Sequence, residues 1–305
     1  MRASERRLRS RRALLSVLIA AASLGALWAA VPAPASAAMQ VGVQDDPVFV
    51  FQSYAPRGGR ATAFSDARAF GSRWIRPQPS RFAAFVTTVA KHFKGRVFRY
   101  SLWNEPNLGR WLSPTRQAPL LYRKLVLAGY PALKRVDGRN QVLIGELTSS
   151  HDPLGFLRKA ASGLKADGFA YHPFEFYRRP GSGGSSRGFT GINSTPTIKG
   201  TLRTLARQHR LTTLRGGTLP LYYTEFGYLT KGFYRMSESR RRDWTVRAFR
   251  YARAHGVKEM VYYQLVQSPS GTLAGDVWDS GLIRLNGTAL PTYTALVKAS
   301  RNGFR

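Results

Sequence analysis

Two short strings far apart in the chain each place a glutamate where an apolar, β-prone run gives way to a loop. They are Trp103-Asn104-Glu105-Pro106-Asn107 and Tyr223-Thr224-Glu225-Phe226-Gly227. Carboxylates at the C-terminal ends of two strands of one α/β protein can face each other across a pocket. Cleavage of a glycosidic bond needs such a pair: one group protonates the departing oxygen and the other attacks the sugar carbon. A lone strand-end glutamate is more often a cap or a surface group. The joint occurrence carries the weight, because only six glutamates lie beyond residue 37.

The elements that must position this pair follow from hydrophobic spacing. Phe82, Phe85, Val86, Val89 and Phe93 predict a helix over 80–93, with Ser80 as its N-cap. A strand over 97–103 leads into the first string. Leu120, Leu121, Leu125, Leu127 and Leu133 are among the apolar positions of a helix over 116–136. Strands follow over 142–146, 168–174, 219–224 and 258–266. Helices separate them over 154–161, 197–208 and 237–255, and a last helix over 291–300 has Pro291 at its first position. This unbroken alternation predicts parallel strands joined by right-handed crossovers. Residues 40–43 read as an earlier strand, ended by Gln44-Asp45-Asp46, and residues 47–74 give no clear pattern.

The chain has 305 residues, 43% of them hydrophobic, which is enough for one large domain with a full core. No repeat or linker divides it, so residues 38–305 are expected to form a single domain. The absence of cysteine excludes disulfides and thiolate metal sites, and the five histidines show no ligand spacing, so neither metal nor cofactor is expected.

Residues 1–37 have the three parts of a secretory signal peptide. Arg2, Arg6, Arg7, Arg9, Arg11 and Arg12 make a basic region, an apolar run covers 13–30, and Ala35-Ser36-Ala37 offers a cleavage site. Ser10-Arg11-Arg12-Ala13-Leu14-Leu15 is similar to a twin-arginine signal. A secreted protein with no remaining membrane span is expected. The net charge is +31, which attracts polyanions. The arginines nevertheless scatter over helical segments. Clusters such as Arg178-Arg179 and Arg240-Arg241-Arg242 are short and lack interleaved aromatics, so no nucleic-acid partner is expected.

Asn-Glu-Pro at one strand end, with Thr-Glu-Phe-Gly three strand–helix units later, resembles the signatures of clan A retaining glycoside hydrolases. The nearest likeness is to actinobacterial cellulase-like and family 39-like proteins. It runs over roughly residues 79–296. It includes Tyr171-His172-Pro173 at a strand end and Trp278-Asp279-Ser280-Gly281-Leu282 followed by Gly287, Pro291 and Tyr293.

The resemblance implies a TIM (β/α)8-type barrel, with Glu105 as acid/base after the fourth strand and Glu225 as nucleophile after the seventh. Two carboxylates about 5 Å apart do not ionise together easily, so Glu105 is expected to hold a proton. Asn104 would bond the hydroxyl next to the anomeric carbon, and His172 would orient a carboxylate or bind a hydroxyl. Trp111 and Trp278 would stack on sugar rings or pack their loops. Asp45 and Asp46 end the first strand at the same rim. Glu175, in an arginine-rich segment, reads as an ion-pair partner.

One length does not fit. The chain from residue 41 to Trp103 is about half as long as that between the two glutamates, yet both should hold three units. Residues 47–74 would then replace most of the second and third strands, leaving an open barrel or one of six or seven strands. In relatives the second strand supplies an arginine to the nucleophile; Arg73 and Arg76 are the candidates here. Three readings stand: a monomeric secreted glycosidase acting on a poly- or oligosaccharide, including an acidic glycan or cell-wall polymer; a non-catalytic glycan-binding descendant; and a basic polyanion-binding protein.

Overall fold

The computed structural model describes residues 39–44, 76–184, 186–267, 272–273 and 276–304. The leader segment, Asp45, Asp46 and Arg73 lie outside the described residues.

Among the described residues the main sheet has six parallel strands. They are β1 (Gln40–Gln44), β2 (Arg99–Ser101), β3 (Gln141–Thr148), β5 (Gly168–His172), β7 (Leu221–Phe226) and β8 (Glu259–Tyr263). Their spatial order is β1-β8-β7-β5-β3-β2, and every pairing is parallel. The first and last strands of the sheet's chain order are neighbours, as closure of a barrel demands. Between β1 and β2 the described residues place no strand, so among them the sheet stays open on that side. Two short strands, β4 (Leu164–Lys165) and β6 (Leu211–Thr212), pair separately, and β9 (Thr272–Leu273) pairs with β10 (Asp276–Val277).

Helices cover the outside: α1 (Pro79–His92), α2 (Ala118–Val136), α3 (Pro153–Ala160), α4 (Thr195–Arg207), α5 (Glu238–Ala254) and α6 (Pro291–Arg301). In α2 the buried stripe is Tyr122, Leu125, Val126, Gly129, Tyr130 and Leu133, a 3.6-residue repeat. Leu120 and Leu127, expected in that stripe, are 57% and 49% exposed. The helical period turns them away from the sheet. α1 starts at Pro79 behind Gln78, with no side-chain cap, so Ser80 is not its N-cap. Pro79 supplies the fixed φ that starts the helix. Pro291 does stand at the start of α6, and Ser237 caps α5 by accepting from the Arg240 N–H. No helix among the described residues is long and apolar enough to cross a membrane.

The foot of the barrel interior is polar. Arg99 on β2 forms an ion pair with Glu259 on β8 and donates to Gln40 Oε1 on β1 at 3.0 Å. Its Nε donates to Gln141, whose amide donates to the Tyr222 hydroxyl at 2.7 Å. The two edge strands, β1 and β2, are therefore tied by side chains where backbone pairing is missing. This is one way to cover unpaired strand edges.

Candidate active site

Glu105 follows β2 in a turn built from unusual backbone. Trp103 (φ +72°) and Glu105 itself (φ +38°) are left-handed non-glycine residues, with half-buried Asn104 between them. Such conformations cost about 1–3 kcal/mol each and persist only where surrounding contacts impose them. Here the contacts are identifiable. The Glu105 N–H donates to the Glu146 carbonyl at 2.9 Å. Buried Asn107 donates to the carbonyls of Thr148 and Ser150 and accepts from the Thr148 N–H. Trp103 Nε1 donates to the Trp111 carbonyl, and Trp111 Nε1 donates to Glu105 Oε2 at 3.0 Å. Trp111 thus holds the Glu105 carboxylate with the edge of its ring.

Glu146 enters the same site through a bulge. The β3–β5 register shifts between Gly145 and Leu147. Gly145 has φ +114°, and a Cβ there would meet the Ala170 carbonyl oxygen at 2.3 Å, so only glycine fits. The bulge gives Glu146 a left-handed φ of +46° and turns its carboxylate inward. A second register shift lies between Tyr223 and Phe226 on β7. It allows two adjacent residues to reach the site: Thr224 Oγ1 donates to Glu146, and Glu225 Oε2 lies 3.6 Å from His172 Nδ1.

His172, at the end of β5, is fully buried at the centre. Its Nδ1 is 3.2 Å from Glu105 Oε1 and its Nε2 is 2.8 Å from Glu146 Oε2. One oxygen from each of Glu105 and Glu225 and one His172 nitrogen all lie within 4.8 Å of one another. Burial alone would lower the imidazole pKa. The Glu225 charge and the hydrogen bonds to Glu105 and Glu146 outweigh it and hold the ring well above its usual value. For Glu105 burial pushes upward, but the hydrogen bond and charge of His172, with Arg110 beyond, bring the carboxyl below its usual range.

This corrects the expectation for the free site. Burial pushes Glu105 toward its protonated form, but the hydrogen bond and charge of His172 outweigh it and favour the carboxylate, while the surrounding carboxylates favour the protonated ring. Among the described residues, Glu105, His172 and Glu225 are the group that could offer donor atoms to a cation.

The remaining candidates fall as follows. Trp278 is half-buried, edge-on to Phe174 at 4.9 Å, and Phe174 in turn meets the His172 ring at 6.3 Å. Among the described residues no arginine ion pair holds Glu175. It is fully buried and accepts from the N–H groups of Tyr177 and Arg178 and from Ser186, which organises the loop after β5. Arg76 is exposed, and its described hydrogen bond is a backbone one to Ser113 at 2.8 Å. The arginine that bears on the cluster is Arg110. Sequence reasoning missed Glu146 and Arg110. Glu146 did sit at the end of a strand-like run, but nothing local signalled the bulge that turns it inward.

No family model matches the sequence, and a search of curated proteins finds no match. Solved structures do match. A family 39 glycoside hydrolase from Bacteroides cellulosilyticus WH2 is 21% identical with a TM-score of 0.53, over 72% of this chain and 44% of that one. The family 39 enzyme from Xanthomonas axonopodis pv. citri is 17% identical with a TM-score of 0.52, over 74% and 46%. A glucosidase from Croceicoccus marinus is 14% identical with a TM-score of 0.52, over 74% and 46%. The chain spans somewhat under half the length of these structures. The likeness is one of fold: the described residues form an α/β barrel sheet with crossover helices of the kind found in family 39 glycoside hydrolases.

Proposed function

We propose that the protein is a retaining glycosidase, with Glu225 as nucleophile and Glu105 as acid/base, acting on a poly- or oligosaccharide. The observation that carries this reading is the approach of Glu105, His172 and Glu225 to within 4.8 Å at the C-terminal ends of three parallel strands. Carboxyl groups about 5–5.5 Å apart suit double displacement, whereas inversion needs room for a water between them. The fold likeness to glycoside hydrolases supports it further.

Glu225 attacks the anomeric carbon while the glycosidic C–O bond breaks and Glu105 protonates the departing oxygen. Glu105 first needs that proton. The His172 Nδ1–H is 3.2 Å away, and a bound sugar that excludes water raises the carboxyl's affinity for it, since burial already pushes Glu105 upward. Glu146 keeps the second ring N–H engaged. Once the glycosyl–enzyme bond forms, the Glu225 charge is gone. Glu105 then takes a proton from the incoming water. Asn104 is assigned to the neighbouring sugar hydroxyl, and Trp278 to a ring platform. The reading includes export through residues 1–37 and a monomeric domain over 38–305.

The open side of the sheet among the described residues favours one rival, a glycan-binding descendant that turns nothing over. Hydrolysis of aryl β-glycosides and of plant, fungal and bacterial polysaccharides, by wild type and by Glu225→Gln, separates the two. Turnover that collapses in the variant supports the glycosidase. A folded wild type inert on the whole panel favours the descendant.

A further inference from the structure

The two arginine clusters that the sequence leaves separate meet in space. Arg179, in the loop leaving β5, and Arg240 and Arg242, at the start of α5, line one open cleft of about 930 Å³ with Arg247 and Arg250. The cleft starts at the rim from which the loops after β5 and β7 emerge and runs along the outer face of α5. Its walls are fixed. Arg247 Nε donates to the Pro180 carbonyl at 2.6 Å, Gly181 N–H donates to Asn193 Oδ1 at 2.7 Å, and Asn193 donates to the Arg179 carbonyl.

The charge is one-sided. Among the described lining residues the one acid is Asp243, which pairs with Arg242 at 2.9 Å. Arg179, Arg240, Arg247 and Arg250 are all exposed. At about 1.5 Å per residue, Arg240 and Arg250 stand about 15 Å apart along the helix, the length of a short oligosaccharide. Guanidinium groups present planar pairs of N–H donors that match carboxylates.

The aromatic residues in the cleft discriminate between polyanions. Single-stranded nucleic acid needs free ring faces for base stacking. Trp244 is covered by the Arg240 guanidinium at 5.6 Å, and Tyr251 lies against the His255 ring at 3.9 Å. One face of each ring is occupied in this way, while Arg179, Arg240 and Arg250 stay exposed.

We propose that this cleft docks an acidic polysaccharide through its carboxylates, holding the polymer beside the barrel rim. The proposal rests on the glycosidase reading only in choosing a glycan among polyanions. The test is titration of the full chain at low salt with an oligogalacturonate, a neutral xylo-oligosaccharide and a single-stranded oligonucleotide of matched charge. The variants are Arg240→Gln/Arg250→Gln and, with equal charge removed outside the cleft, Arg135→Gln/Arg301→Gln.

Saturable oligogalacturonate binding is expected, with Kd raised about tenfold or more by the cleft pair and nearly unchanged by the control pair. The neutral sugar should not compete. Equal weakening by both pairs would overturn the site, leaving only diffuse charge. Equally tight oligonucleotide binding with the same loss in the cleft variant would overturn the glycan assignment. Binding is also measured in Glu225→Gln. Selective binding without turnover on any glycan keeps the docking site and sinks the hydrolase reading; turnover without selective binding does the reverse.

Discussion

His172 Nε2 lies 2.8 Å from Glu146 Oε2, so the ring that faces Glu105 and Glu225 with one nitrogen is held from behind by a third carboxylate. Glu146 acts by keeping the imidazole protonated and oriented. Glu146→Gln removes one charge-assisted hydrogen bond, about 1.5–3 kcal/mol. The alkaline limb of the kcat/KM profile should move to lower pH by about one unit or more. A uniform fall in rate with an unmoved limb would reduce Glu146 to a packing role.

Glu105→Gln should lower turnover about 100- to 10,000-fold on glycosides with poor leaving groups. The loss should shrink on activated aryl glycosides, whose leaving group needs no proton. Exogenous azide should rescue Glu225→Gln poorly, since the amide still fills the nucleophile's place. Comparing leaving groups across both variants assigns the two roles, and an equal loss on all leaving groups in Glu105→Gln would count against its role as acid.

Trp111→Phe removes the indole N–H from Glu105 Oε2 while keeping an aromatic ring. That donor stabilises the charged carboxylate, so its loss should favour the protonated acid and move the alkaline limb of the kcat/KM profile to higher pH. An unmoved limb with a raised KM would instead make Trp111 mainly a sugar platform.

Stability should depend on pH from both sides. Folding raises His172 above its ordinary value of about 6.5, so its contribution is complete below that value and is lost as pH climbs through the folded pKa. Folding lowers Glu105 below about 4.5, so its contribution is present above that value and is lost as pH falls through the folded pKa. Urea denaturation across pH should show greatest stability between the two. His172→Asn should flatten the alkaline side.

Arg99→Gln tests the polar foot of the barrel. It leaves the mostly buried Glu259 without its cation and removes a tie between edge strands β1 and β2. The pair is half-buried, between the exposed and fully buried cases, so a loss of about 2 kcal/mol is expected. Glu259→Gln added to Arg99→Gln should recover part of it, as read by denaturant midpoint.

Much of the fold was legible because local physics wrote it. Apolar runs at strand spacing, Pro291 at a helix start and Ser237 at another each act within a few residues. The Glu105 and Glu225 strings were legible for the same reason: strand ends expose the residues that follow them. Leu120 and Leu127 were misplaced because apolar character alone does not say which face of α2 meets the sheet. Tertiary structure decided the rest. The bulge at Gly145 exists because the Ala170 carbonyl lies where a Cβ would be, and only that packing turns Glu146 toward His172. The pKa of His172 is raised because three carboxylates from different parts of the chain converge on one buried ring. Arg179 and Arg240 form one cleft because the loop after β5 is pinned to α5. Long-range contacts of this kind leave no periodic trace in the chain.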